Sequence, residues 1–176
     1  MDASSGVGGG VGSVGMQHRT DTAVASCMIQ LSPHFSLAEL LHTSTGLSND
    51  PSPEQVEHLR VLCRDLLEPV RTLLGVPLRV NSGYRSPQVN AAVGGSPTSQ
   101  HMRGDAADVV PVGMTAEEAM RRIAREVEAG RLKAADQIIL YQSEFLHLST
   151  NVRPRQEMLC SASAGGSGGP YTAYRG

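Results

Sequence analysis

The chain lacks tryptophan and has few aromatic residues of any kind: aromatic side chains make up 3% of its 176 residues. A hydrophobic core must therefore be built from aliphatic side chains. Hydrophobic residues at 40% are enough for one modest core. The length fits one domain with flanking segments better than two domains.

An excess of positive charge is also lacking, because the formal net charge is −2. This argues against nucleic acid as the main partner, since proteins that bind it carry a basic face. No apolar run reaches the roughly 18 residues that a membrane-spanning helix needs. The N-terminus lacks the basic start and apolar block of a secretory signal. We therefore expect synthesis in the cytoplasm, without export by the signal-peptide route.

Cysteines are few and far apart, at Cys27, Cys63 and Cys160. Their odd number and their spacing fit neither a disulfide framework nor a Cys-x-x-Cys metal site. Cys63 falls on the apolar side of a predicted helix, and we expect it to pack as a small hydrophobic residue.

Composition divides the chain into three parts. Residues 1–30 are rich in Gly, Ser and Val without periodicity, which predicts a flexible leader. Residues 31–153 carry regular hydrophobic patterns and form the predicted domain. Residues 154–176 are irregular and rich in Gly and Ser towards the end, which predicts a disordered tail.

The patterned part predicts helices first and short strands later. Ser52 and Pro53 fit the N-cap and first position of a long amphipathic helix that ends at Gly75, and Pro69 should kink or split it near Glu68. Shorter helices are predicted over residues 37–42, 87–92 and 116–129. Strands are predicted over residues 78–81, 106–110, 136–140 and 145–149, the last two as a hairpin. This order predicts an α+β fold, with a small antiparallel sheet and helices packed on one side.

Two short segments carry side chains that suggest chemistry. His101 lies on a loop that enters the strand with Asp108, and His147 lies within an apolar strand. Imidazole and carboxylate groups suit zinc, and a hydrolytic zinc site takes three protein ligands and leaves one position for water. Alternation along the strand places Asp108 and the small Ala106 on one face, so both strands can present a ligand to one cleft. We hypothesise that His101, Asp108 and His147 bind one zinc ion.

Each histidine also has a simpler interpretation. A lone strand histidine is more often a packed residue, and His101 could be a turn residue. Asp108 is harder to explain in this way, because a carboxylate in an apolar strand is unfavourable unless it is paired or bound to a metal. Glu144 precedes His147 by three residues, and we expect it to act on water at the zinc. In a regular strand the two would face opposite ways, so the chain must turn or bulge between them.

Three motifs resemble one known family. They are Ser-Gly-Tyr-Arg-Ser over residues 82–86, Val-Gly-Gly-Ser over residues 93–96 and Ser-x-His-x-x-Gly-x-Ala-x-Asp over residues 99–108. The chain resembles the D-alanyl-D-alanine carboxypeptidase family of zinc peptidases, and within it the short, phage-type branch. This branch is related to vancomycin-resistance D,D-dipeptidases and to the hedgehog-type fold. The resemblance covers about residues 33–153, with Phe145 where the family usually has Trp.

The resemblance implies the same three zinc ligands and adds further roles. Arg85 would bind the substrate or stabilise the oxyanion that forms at the scissile carbonyl. Ser99 would hydrogen-bond near the site and brace the histidine loop. Glu144 would be the catalytic carboxylate. Tyr84 and Asn90 would line the cleft or support the turn that carries Arg85.

The implied activity is zinc-dependent hydrolysis of amide bonds in peptidoglycan stem peptides, by a carboxypeptidase or by an endopeptidase of the endolysin type. We expect a monomer that acts at the cell wall, in phage lysis or from a virion. The alternative is a catalytically silent zinc-binding module of the same fold that binds cell-wall peptide or a partner. Loss of Glu144 or Arg85 would indicate such a module, and both are present.

Overall fold

The computed structural model describes residues 29–142, 144–163 and 170–175. Its helices are α1 (Leu37–Leu41), α2 (Pro53–Leu62), α3 (Glu68–Leu74), α4 (Pro87–Ala92) and α5 (Ala116–Glu128), with a π-helical turn over Cys63–Leu67 and a 3₁₀ turn over Gln100–Arg103. Its strands are β1 (Gln30–Ser32), β2 (Phe35–Ser36), β3 (Leu78–Ser82), β4 (Ala106–Pro111), β5 (Ala135–Tyr141), β6 (Phe145–Thr150), β7 (Glu157–Ser161) and β8 (Tyr171–Ala173). The predicted leader lies outside the described residues, except at Ile29 and Gln30.

The helix starts follow the local signals in the sequence. The Ser52 side chain accepts a hydrogen bond from the Gln55 N–H, and the Gln55 side chain bonds back to the Ser52 N–H. This capping box satisfies two N–H groups that the first turn leaves unpaired. Ser36 and Glu39 form the same arrangement at the start of α1. Among the described residues, no helix is long and apolar enough to cross a membrane.

The interruption predicted near Glu68 takes the form of a π turn. The Glu68 N–H bonds the carbonyl of Cys63, five residues back, just before Pro69 at the start of α3. Proline has no N–H to donate, and its ring crowds the preceding turn, so a wider turn accommodates it. Cys63 lies in the core as predicted, and burial raises the pKa of its thiol to about 12.

Six strands form one sheet in the order β3-β4-β6-β5-β7-β8. All neighbouring pairs are antiparallel except β5 and β7, which are parallel. The short strands β1 and β2 form a separate antiparallel pair. The α+β class is therefore confirmed, and the main sheet is mixed through its one parallel pair.

The two faces of this sheet have different environments. Ala107 pairs with Leu148 across β4 and β6, and both belong to the hydrophobic core that includes residues of α2, α3 and α5. Asp108 pairs with His147 in the same register. Because side chains alternate along a strand, this second pair lies on the opposite face from the core. The helices therefore cover one face, and the polar pair occupies the other.

The predicted disordered tail was wrong for the residues in β7 and β8. β7 bonds the edge of β5, and β8 bonds β7. Before β7 begins, the Arg155 backbone N–H donates to Asp136 at 2.8 Å and its guanidinium donates to the same carboxylate at 2.7 Å. These pairings join segments that are not adjacent in the chain, and a Gly/Ser-rich composition gives no periodic signal for them.

Candidate metal centre

Two adjacent strands and one tight turn position the candidate ligands. Asp108 in β4 lies directly opposite His147 in β6. His101 is in the 3₁₀ turn that ends at Gly104, whose φ of +80° lies in the left-handed region. A Cβ at Gly104 would lie 2.7 Å from the Gln55 carbonyl oxygen, so the turn packs closely against α2. All three candidate ligands are buried.

One atom from each side chain reaches a common point. His101 Nε2 is 3.2 Å from His147 Nδ1, and His147 Nδ1 is 3.0 Å from Asp108 Oδ1. The third side of the triangle, from His101 Nε2 to Asp108 Oδ1, measures 3.3 Å. Ligand atoms about 2.0–2.1 Å from a tetrahedral zinc lie about 3.3 Å apart. The cluster therefore has the donor types and the spacing that zinc requires.

The other ring nitrogen of His101 has a fixed partner. His101 Nδ1 is 2.7 Å from the Gly83 carbonyl oxygen. A carbonyl only accepts hydrogen bonds, so Nδ1 carries the hydrogen and the lone pair of Nε2 faces the cluster. The backbone that supplies this carbonyl packs closely against α1, because a Cβ at Gly83 would lie 2.4 Å from the Leu40 carbonyl oxygen.

The second oxygen of Asp108 is held by Arg85. The Arg85 Nη2 donates a short hydrogen bond to Asp108 Oδ2, and its Nε donates to Ser82 Oγ at 2.8 Å. Oδ1 is thus left to the two histidines while Oδ2 faces the guanidinium. This contact orients the carboxylate, a role that outer-sphere partners of metal ligands commonly have.

The electrostatics favour the metal-binding forms of these groups. Burial lowers the pKa of His101 by disfavouring its charged ring, against the opposing effect of Asp108. Burial by itself would raise the pKa of Asp108, but its contacts with the two neighbouring imidazoles outweigh burial and hold the pKa well below its usual value. A neutral imidazole and an ionised carboxylate are the states that bind zinc.

A cavity of about 360 Å³ opens onto the cluster. Its walls come from the histidine loop, from β5 and β6, and from the segment after β6. The described residues that line it include one carboxylate, Asp108 itself, and three arginines, Arg85, Arg103 and Arg155. The volume falls in the usual range for sites that bind small ligands.

The comparison with family models identifies the chain. Residues 33–149 match the family described as Peptidase M15. The chain belongs to the Peptidase M15 family. The match covers about two thirds of the 176 residues and includes all three candidate ligands. A comparison with curated proteins finds no match.

Membership in the Peptidase M15 family agrees with the resemblance to zinc D-alanyl-D-alanine carboxypeptidases. The chain is thus a member of a peptidase family, and its buried His101, Asp108 and His147 form a group that could hold a metal ion.

The structure brings some of the other expected site residues to the cavity. Arg85 and Ser99 line it. The Ser99 carbonyl accepts a hydrogen bond from the Met102 N–H at 3.2 Å, within the turn that carries His101. Both residues therefore lie at the cavity, and the roles that the motifs implied for them stay predictions.

Tyr84 and Asn90 do not line this M15 cavity. Tyr84 is buried in the hydrophobic core, where its carbonyl accepts a hydrogen bond from the Asn49 side chain. The Asn90 side chain donates to the Ser96 carbonyl at 2.9 Å and packs against Gly95. Both side chains face the interior of the protein and support the walls, and their role in substrate binding stays a prediction.

Glu144 is exposed on the turn between β5 and β6 and is absent from the cavity lining. Its backbone N–H donates to the Tyr141 carbonyl at 2.8 Å, and β6 runs from Phe145 in regular register with β5. Of the turn or bulge expected between Glu144 and His147, the structure has the turn, in which Glu144 itself lies, and no bulge between Phe145 and His147.

Several residues of the cavity were missed from the sequence. Tyr141 ends β5 and pairs with Phe145. Alternation along the strands places this pair on the same face of the sheet as His147, and so at the cavity. That signal was present, but the predicted strand ended at Leu140. Arg155 and Tyr171 belong to the segment predicted to be disordered, where no periodic pattern indicates a strand.

Proposed function

We propose that this chain is a zinc-dependent peptidase that hydrolyses amide bonds in peptidoglycan stem peptides. The observation that carries the proposal is the convergence of His101 Nε2, His147 Nδ1 and Asp108 Oδ1 on the wall of a cavity, in a member of a peptidase family. Support for the substrate class comes from the Ser-Gly-Tyr-Arg-Ser and Ser-x-His-x-x-Gly-x-Ala-x-Asp motifs, which resemble those of cell-wall peptidases.

The three ligands would hold the zinc ion, and two of them, His101 and Asp108, are held by neighbouring groups. The Gly83 carbonyl sets the tautomer of His101, and Arg85 orients Asp108. Bound zinc would lower the pKa of water from about 15.7 towards 7 and polarise the scissile carbonyl. Arg85 lines the cavity beside the cluster, where its positive charge favours an oxyanion.

Glu144 is the proposed proton acceptor. The support is its Glu-x-x-His spacing from His147 and its position on the turn between Tyr141 and Phe145, which both line the cavity. Asp108 is unsuited to this role, because its two oxygens already face the histidines and Arg85. The Glu144 carboxylate would accept the proton of the attacking water and pass it to the leaving amine.

The alternative is a catalytically silent module that binds zinc and cell-wall peptide without turnover. One observation favours it: among the described residues that line the cavity, Asp108 is the only carboxylate. A hydrolase needs a proton acceptor within reach of its substrate. The two functions therefore differ in whether the turn that carries Glu144 brings its carboxylate to the substrate.

The deciding experiment measures zinc content and stem-peptide cleavage together. We expect about one zinc per wild-type chain, and loss of both zinc and cleavage in His101→Ala and His147→Ala. Glu144→Gln should keep its zinc and lose about 10²- to 10⁴-fold in kcat. Glu128→Gln, which removes an exposed carboxylate at the end of α5, is the matched control and should resemble wild type.

One outcome would contradict the peptidase proposal, and another would contradict only the role of Glu144. Full zinc loading with no cleavage of any stem peptide would favour the silent module. Full activity in Glu144→Gln would exclude that residue as the proton acceptor, while leaving the peptidase proposal in place.

The phage-type branch and the cell wall as the site of action are part of the same proposal. Their support is the resemblance of the motifs over residues 82–108. Treating purified bacterial cell walls with the zinc-loaded protein tests them, since a lysin releases new amino groups from intact wall. Cleavage of free stem peptides without any action on walls would contradict a lytic role.

A further inference from the structure

The segment beyond the family match helps to build the cavity. The Peptidase M15 match ends at residue 149, and β7 and β8 follow it. Arg155 and Tyr171 from this later segment nevertheless line the cavity together with the three candidate ligands. Tyr171 is the first residue of β8 and pairs with Ser161 of β7. Part of the wall therefore comes from strands outside the matched residues.

Tyr171 contacts an aromatic side chain from the family-matched part. Its hydroxyl is 3.0 Å from the Tyr141 hydroxyl, and the two ring centroids are 6.3 Å apart at an interplanar angle of 79°. Tyr141 in turn stacks on Phe145, with centroids 4.9 Å apart. The chain has four tyrosines and two phenylalanines, so half of these side chains gather at this one cavity.

The two hydroxyls together leave one hydrogen to donate. One hydroxyl must donate to the other, which uses one of their two hydrogens. The remaining hydrogen can bond an acceptor that enters the cavity, while Phe145 and the tyrosine rings offer an apolar surface beside it. This combination suits a peptide segment, which has a carbonyl oxygen next to apolar side-chain atoms.

The charges around the pair favour an uncharged acceptor. Each arginine that lines the described cavity is paired with a carboxylate: Arg85 with Asp108, Arg103 with Asp105, and Arg155 with Asp136. A carboxylate on the substrate would compete with these existing pairs, whereas an amide carbonyl needs only a neutral donor.

We propose that Tyr171 is a substrate-binding residue that acts with Tyr141 to donate one hydrogen bond to an amide carbonyl of the peptide. The proposal rests on the proposed peptidase function and adds a specificity element from β8. Tyr171 is the partly exposed member of the pair, so a substrate can reach its hydroxyl.

The test compares Tyr171→Phe with Tyr174→Phe. Both changes remove one hydroxyl from the same segment, but Tyr174 does not line this cavity. We expect Tyr171→Phe to raise KM for a zinc-catalysed stem-peptide cleavage about five- to tenfold with a smaller change in kcat. Tyr174→Phe should stay within about twofold of wild type.

A second readout does not depend on turnover. Calorimetry with the chelator-treated protein and a C-terminally amidated stem peptide should show a similar rise in Kd for Tyr171→Phe. An inactive wild type would contradict the proposed function. Wild-type KM and Kd in Tyr171→Phe would instead overturn the inference about Tyr171.

Two further comparisons sharpen the assignment. The fold-change caused by Tyr171→Phe should be the same for peptides with a free and an amidated C-terminus, and a loss confined to the free carboxylate would overturn the amide acceptor. The double variant Tyr141→Phe/Tyr171→Phe should lose no more substrate affinity than whichever single variant loses more, because the pair supplies one donor. If the fold-losses in affinity of the two single variants multiply in the double variant, the inference of one shared donor is overturned.

Discussion

At the scale of single residues, the candidate metal centre depends on how Asp108 divides its two oxygens. Oδ1 lies beside both histidines, and Oδ2 accepts from Arg85. The motif around residues 82–86 and the motif around residues 99–108 thus meet at one carboxylate. Arg85 has a structural task here in addition to its proposed contact with substrate.

Replacing Arg85 with Met tests this task. We expect Arg85→Met to weaken zinc binding about 10- to 100-fold, because Asp108 loses the partner that orients it. Arg103→Met is the matched control, since Arg103 lines the same cavity but bonds Asp105, which is outside the ligand set. Competition with a chromophoric chelator measures both affinities. Equal affinities in the two variants would mean that Arg85 does not support the ligand.

Gly104 is the residue at which backbone conformation limits the sequence most clearly. Its φ is +80°, and a Cβ there would lie 2.7 Å from the backbone carbonyl of Gln55. Gly75 has a similar φ of +69° but open space around it. Substituting alanine at each of the two glycines therefore separates the free energy lost to the left-handed backbone conformation from the free energy lost to the steric clash.

We expect Gly104→Ala to lower the free energy of unfolding by about 2–4 kcal/mol, because it adds a backbone clash to the left-handed strain. Gly75→Ala should cost only about 1 kcal/mol. Urea unfolding of the zinc-free proteins measures both values. Equal losses would show that the turn can move away from α2 without cost.

At the scale of elements, Asp136 fastens the C-terminal segment to β5. Its side chain is fully buried and accepts hydrogen bonds from Arg155 and from Gln100, the neighbour of His101. Burial by itself would raise the pKa of Asp136, but the hydrogen bonds and charge of Arg155 outweigh it, so the pKa lies below its usual value. One carboxylate therefore links the start of β5, the histidine loop and the approach to β7.

This shift predicts a pH dependence of stability. A carboxyl group whose pKa is lower in the folded state stabilises the protein above its unfolded pKa of about 3.9, and the stabilisation is lost as the pH falls through the folded value. We expect the free energy of unfolding of the zinc-free wild type to fall more steeply between pH 6 and pH 3 than that of Asp136→Asn. Denaturant titrations at each pH measure the difference. An unchanged slope in Asp136→Asn would contradict the assignment.

At the scale of the whole molecule, the C-terminal strands cover a sheet edge. β5 is a largely buried, apolar strand, and β7 bonds the side of it that faces away from β6. Without β7 that edge would present unpaired backbone groups to other chains. We therefore expect the segment beyond the family match to protect this edge from aggregation, in addition to lining the cavity.

Truncation tests the protective role of β7. A chain that ends after Asn151 should aggregate, because it loses β7 and exposes the edge of β5. A chain that ends after Ser163 keeps β7 and should remain dispersed. Size-exclusion chromatography with light scattering measures the two products. Equal solubility of both chains would show that β7 is not needed to protect the edge.

Local signals account for the parts of the fold that the sequence predicted. The capping boxes at Ser36 and Ser52 formed because their partners lie three residues away and need no tertiary contact. Alternation in β4 and β6 placed Asp108 and His147 on one face before their register was known. Asp108 and His147 could be named as candidate zinc ligands for this reason, whereas His101 was named from its place in the Ser-x-His-x-x-Gly-x-Ala-x-Asp motif.

Tertiary structure decided the features that depend on contacts between distant segments. The pairing of β7 with β5, the pairing of Arg85 with Asp108 and the arrival of Tyr171 at the cavity have no counterpart in local periodicity. The exposed position of Glu144 likewise follows from the register of the hairpin rather than from its spacing to His147. The physical reason is range: a cap or an alternating strand is determined by neighbours a few residues away. Which strand pairs with the edge of a sheet depends instead on which distant segment can form hydrogen bonds with the unpaired backbone groups of that edge.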